Sequence, residues 1–134
     1  MKRLLKLFAA VALGCTAGCA TVNCSDVGGH KMVYIANSGW YLFNVIPIAS
    51  GNPDCPNECD FKLFKQTTTM ANNIKLLDWA VASAGAESYR TQTSYTTDEN
   101  VLFILFKRHV LHTSAELVDA PPKAPLATSI KYAH

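Results

Sequence analysis

The sequence predicts an α+β domain of two layers: a mainly antiparallel sheet of about four strands, in the order β-β-α-β-β, with one helix packed on it. Three observations point there. Two β-branched and aromatic runs flank a turn signal between 32 and 48, a later segment repeats apolar residues at helical period, and a further stretch alternates with period two. With 134 residues, 49% of them hydrophobic and 16% charged, the chain has material for one core and not for two.

Met32-Val33-Tyr34-Ile35-Ala36 stops at Asn37-Ser38-Gly39, and the run from 40 to 48 resumes the same character, which reads as a hairpin. No charge lies between Lys31 and Asp54, but Asn37, Ser38, Gly39, Asn44 and Pro47 interrupt the run, so it does not read as a spanning helix. The stretch 50–59 is loop chemistry. After Thr67-Thr68-Thr69, any of which could cap, Met70, Ile74, Leu77, Val81 and Ala84 fall on one helical stripe with Asn73, Lys75 and Asp78 opposite, and Gly85 is a terminator. Tyr89, Thr91, Thr93 and Tyr95 then alternate with Arg90, Gln92 and Ser94 as a strand; Asp98-Glu99-Asn100 reads as a turn, and 101–117 as a long or bulged partner strand.

From Val101 to Phe106 both faces of that strand read as apolar, and the run from Trp40 to Ile46 is nearly the same. One helix covers one sheet face. The other must be covered by the 50–66 loop, the tails or the hairpin, or else by a second subunit, another envelope protein or the membrane interface. Trp40, Phe43, Phe103 and Leu105 are the candidate residues for that interaction face.

The first 18 residues carry a basic start (Lys2, Arg3, Lys6), a short apolar run from Leu7 to Leu13, and then Gly14-Cys15-Thr16-Ala17-Gly18-Cys19, the layout of a secretory signal. All 10 acidic residues come later, so without those three cations nine basic residues face ten acidic ones, and nothing suggests a nucleic-acid partner. The Gly-Cys endings resemble the signal peptidase II lipobox of bacterial lipoproteins. The resemblance implies diacylglycerol on Cys19, with Cys15 as the alternative; a membrane partnership through that lipid; and, since no Asp follows Cys19, an outer-membrane location facing the periplasm. Two or three acyl chains hold a soluble domain stably. The chain then divides into a signal peptide (1–18), a tether (19–30) marked by Gly28-Gly29, the α+β domain (31–118), and a mobile Pro-rich tail (119–134).

In an oxidising compartment Cys55 and Cys59 could close a small disulfide loop, leaving Cys24 over or as an alternative partner. No metal or other cofactor is expected. His109 and His112 are three apart and point to opposite faces of a regular strand, and Asp54, Glu58 and Asp60 lack the order of a calcium loop. No nucleophile elbow, zinc-protease helix, phosphate loop or Cys-x-x-Cys is present, so no catalytic residue is assigned and the chain reads as a non-enzyme. The run from Asn37 to Pro53, with the helix ending Ala84-Gly85-Ala86, resembles a group of small bacterial lipoproteins and, more distantly, the TRL-like lipoprotein family. That likeness spans 31–118 and implies no established activity; the chain as a whole reads as a structural or protein-interaction module, with a small ligand- or metal-binding module as the alternative.

Overall fold

The computed structural model describes residues 18–58 and 60–121. They form β1 (Ala20–Val27), β2 (His30–Leu42), β3 (Ile46–Gly51), β4 (Phe61–Leu63), α1 (Met70–Ala84), β5 (Ser88–Val101) and β6 (Phe106–Val118). Every strand pairing is antiparallel. β6 lines one edge of β2 from Met32 to Leu42, while β1 and β3 share the other edge end to end. β5 lies outside β6, and β4 lies outside β3.

Among the described residues the fold is α+β with an antiparallel sheet and one helix, as the sequence predicts, but the sheet has six strands rather than about four. The segment read as a tether holds β1 instead. Ala20 and Val22 alternate into the core, and Gly28 and Gly29, at φ 61° and 83°, close a two-residue hairpin onto His30. β4 is a three-residue strand drawn from the loop region and paired with β3.

A larger correction concerns the last hairpin. Asp98-Glu99-Asn100 do not turn the chain; they continue β5, and the apolar residues 102–105 are the turn. The reason lies across the ladder. Asp98 pairs with His109, Glu99 with Arg108 and Asn100 with Lys107, and the side chains close ion pairs from Lys107 Nζ to Asp98 (2.8 Å) and from Arg108 to Glu99 (3.4 Å). Opposite charges facing one another on a sheet contribute about 0.2–1 kcal/mol each, so turn-like acidic residues are recruited into the strand.

Thr69 caps α1 by accepting from Asn72 N, and Gly85, left-handed at φ 65°, ends it by donating to Ala82 O while Ala86 N reaches Val81 O. The helix is rotated from the stripe expected. It buries Asn73, Leu76, Leu77 and Ala80, and leaves Met70 and Ile74 at the surface. Asn73 sits at a core position because its Nδ2 donates to Leu111 O (3.2 Å) and Thr113 Oγ1 (2.9 Å), carrying a polar tie from helix to sheet. Around it Leu76, Leu77 and Ala80 close on Val22, Val33, Ile35, Ala115 and Leu117.

Where β1 and β3 meet along β2, the seam is polar and densely hydrogen-bonded, with the buried Asn37 Oδ1 left without a partner among the described residues. Asn37 Nδ2 donates to Thr67 O (2.7 Å), Ser50 Oγ to Lys65 O (2.5 Å) and Thr67 Oγ1 to Gly51 O (2.5 Å). Cys19 N donates to Ser38 Oγ (2.9 Å), and Ser38 N to Cys19 O (3.1 Å). A Cβ on Gly51 would stand 2.4 Å from Ala20 N, so only glycine admits the start of β1 there. Asn57 seals the outer edge of β1, accepting from Val22 N (2.8 Å) and donating to Val22 O (2.9 Å).

Leu76→Ala is expected to lower the unfolding free energy by about 2–5 kcal/mol through the cavity it opens. Ile74→Ala, at a residue 38% exposed, should cost about 1 kcal/mol or less. Denaturant titration of both variants checks the facing of the helix; equal losses would contradict it.

Candidate functional site

With α1 on one side, the opposite face of the sheet is open, and strand alternation decides what it presents. Register places Thr21, Ala36, His112 and Tyr95 in one row across four strands, and Asn23, Tyr34, Ser114 and Thr93 in the next. Ala36 is the small residue of its row, and the side chains around it leave a hollow of about 150 Å³ walled by Tyr34, Tyr95 and His112. Tyr95 stacks on the His112 ring at 4.6 Å between centroids and 14° between planes, and His112 Nε2 lies 3.0 Å from Thr97 Oγ1. Pockets for small ligands run to about 300–1,000 Å³, so a hollow half the lower bound seats a single projecting side chain better than a free metabolite.

Along the strands this face changes chemistry. At the His30 end, Arg90 grips Glu116 with Nε and Nη2, both at 2.9 Å, and His30 Nδ1 adds a contact of 2.6 Å. The Arg90 guanidinium first, and His30 second, hold the Glu116 carboxyl down to about 2 from its ordinary 4.5. Lys31 and Asp119 pair alongside at 2.9 Å. At the other end stand Trp40 and Arg108, paired in register one step before Tyr41 and Lys107.

The helix side carries a second cluster, where His109 Nδ1 meets Asp98 at 2.5 Å and its ring sits edge-on to Tyr41 at 6.2 Å. Lys107, then His109, lowers the Asp98 carboxyl below its usual range. A His–Asp pair orients an imidazole for acid–base or nucleophilic chemistry when a reacting group adjoins it. Here the hydroxyl beside it belongs to Tyr41 and is engaged with Thr68 Oγ1 at 2.5 Å, so the group braces three strands. His109 and His112 therefore do face opposite sides. Among the described residues, no three His, Cys, Asp or Glu converge on one point.

The four residues proposed as one interaction face are separated. Trp40 is half-buried on the open sheet face, whereas Phe43, Phe103 and Leu105 lie in turns at one end of the sheet, linked by Phe43 N donating to Leu105 O (3.0 Å). In the sequence Tyr34 and Tyr95 stand out only as strand residues and His112 only as a candidate metal ligand, although the alternation that predicts β5 also places Tyr95 on one face. Cys24 is an exposed free thiol and Cys55 a half-buried one. The Cys55 bridge is thus not formed, and Cys59, like Cys15, lies outside the described residues. The loop has other closures: Asn52 Nδ2 to Asp60 (2.6 Å), Lys62 to Asp54 (2.7 Å), and Asn57 to β1. No family model, curated protein or solved structure matches the chain.

Because the folded-state pKa of Glu116 is depressed, its contribution to stability is complete above about pH 4.5 and is lost as pH falls through about 2. Carboxyl NMR should find Glu116 titrating near 2, and Arg90→Ala should move it back toward 4.5. A Glu116 carboxyl that titrates normally in the unaltered protein would show the clamp to be absent in solution.

Proposed function

We propose that this chain is an exported lipoprotein: a non-enzymatic module held at the outer membrane by a lipidated Cys19, presenting its open sheet face to another protein of the envelope. The observation that carries the reading is the place of Cys19. The signal-like segment ends there, and the fold begins one residue later, with β1 at Ala20. Ser38 and Gly51 hold the Cys19 backbone against the sheet, so a lipid on that residue joins the domain with no slack. No helix among the described residues is long and apolar enough to cross a membrane, and a lipid on Cys19 would hold the domain without one.

Protein contact is favoured over small-ligand binding by the shape of the open face. Its shallow hollow is bordered by tyrosines, side chains that supply contact area at low entropic cost. The acidic loop gives a metal little to use, since Asp54 is paired with Lys62 and Asp60 with Asn52.

Mass spectrometry of the membrane-extracted protein should find an acylated Cys19 as the first residue, and Cys19→Ala should leave an unprocessed precursor. An intact Met1, or unmodified thiols at both Cys15 and Cys19, would sink the anchor. For the contact face, a photocrosslinker at Tyr95 should capture an envelope protein in intact cells, whereas one at Asp78, on the exposed side of α1, should not. Equal yields from the two positions would remove the open face as the docking surface.

A further inference from the structure

We infer that the turns at one end of the sheet enter the bilayer, so that the domain stands end-on in the membrane interface. Three turns gather there. They are the β2–β3 turn (43–45), the β5–β6 turn (102–105), joined to it by the Phe43–Leu105 hydrogen bond, and Phe64 after β4, whose N–H donates to Ile48 O on β3. Apart from Asn44 their side chains are apolar and turned outward: Phe103 is 93% exposed, Val45 76%, Phe64 73%, Ile104 70% and Leu102 67%. No charged residue lies within 43–46 or 101–106.

The backbone adds a second observation. Phe43, Phe64, Leu102 and Phe103 all take left-handed φ, between 50° and 61°. Glycine or asparagine fills such positions cheaply, and bulky residues fill them at a cost in strain. Bulky apolar residues at strained and water-exposed turns are disfavoured twice over in an aqueous monomer. Both penalties are offset if those side chains leave water.

The shape selects the occupant. Protein partners need flat or complementary surfaces of about 800 Å² per side, whereas separate convex turns with side chains splayed outward suit a fluid apolar phase. Immediately behind the turns the half-buried Trp40 stands opposite Arg108, itself paired with Glu99, an amphipathic aromatic beside a cation of the kind that settles at headgroup depth. Cys19 points to the same end. It is bonded to Ser38, four residues from the turn end of β2, about 13 Å at roughly 3.3 Å per residue, and twice as far from the His30 end. An anchor there and the turns reach one bilayer together. This orientation agrees with the lipoprotein reading, but insertion does not require it.

The test uses the full chain reconstituted in phosphatidylethanolamine–phosphatidylglycerol vesicles with acyl chains brominated at mid-depth, comparing Phe103→Trp with Glu87→Trp at the opposite end after subtraction of the native tryptophans. Phe103→Trp should shift to the blue and lose at least half its emission to bromine, with Glu87→Trp unchanged. Emission from Phe103→Trp at the water-exposed wavelength in vesicle-bound protein overturns the inference, as does equal quenching at both positions. Concentration-dependent shielding without vesicles overturns it too, because a second copy then covers the turns. Circular dichroism confirms the fold of each variant, and both substitutions are at exposed sites. A chain without an acyl mass on Cys19 that still floats with vesicles and quenches would end the anchor reading and leave this one standing.

Discussion

Backbone satisfaction along both edges of β2 is the constraint on which the rest of this structure depends. A buried central strand must pair every N–H and C=O. One edge is filled by the single strand β6, but the other is filled by two strands that meet near Asn37 and Ser38. That joint interrupts the ladder, and buried polar residues repair it: Asn37, Ser38, Ser50 and Thr67 each bond across the seam or into the loop beneath it. The interruption read from the sequence as a hairpin turn, Asn37-Ser38-Gly39, is this seam. Turn-like residues appear there because their side chains complete a sheet where backbone alone does not.

The legible parts were those governed by local periodicity. The helix, its caps and the alternating half of β5 announce themselves in residue spacing, and the β-branched and aromatic runs between 32 and 48 announce strands there. What escaped is set by long-range partners. Asp98-Glu99-Asn100 turns the chain by composition, yet its order mirrors Lys107-Arg108-His109 about a four-residue centre, a pattern visible only when the two segments are read against each other. β1 was hidden because only Ala20 and Val22 of its residues are buried and its apolar residues are small, and the Gly-Gly pair suggested slack where it makes a tight reversal. Helix rotation was misread because an asparagine was assigned to the polar face, whereas Asn73 bonds through the core.

Of the candidate site, the four named residues were sound as exposed or half-exposed apolar groups and unsound as a single plane. Their separation arranges the molecule along its strands. An ionic cluster at His30, Arg90 and Glu116 stands at one end, tyrosines and His112 lie in the middle of the open face, and bare apolar turns stand at the other end. Such an ordering gives the domain a direction, with ionic, aromatic and bare apolar surfaces following one another along the strands.

The treatment of the sheet's borders has a consequence for crowding. A free strand edge templates pairing with a neighbour. Here β4 is only three residues long, Asn57 occupies the outer side of β1 at Val22, and β5 is bulged between Arg90 and Thr93 and rich in hydroxyl and charged side chains. Molecules confined to two dimensions meet edge to edge far more often than those diffusing freely. Blunted borders let many copies crowd together, in solution or on a surface, without zipping into fibrils.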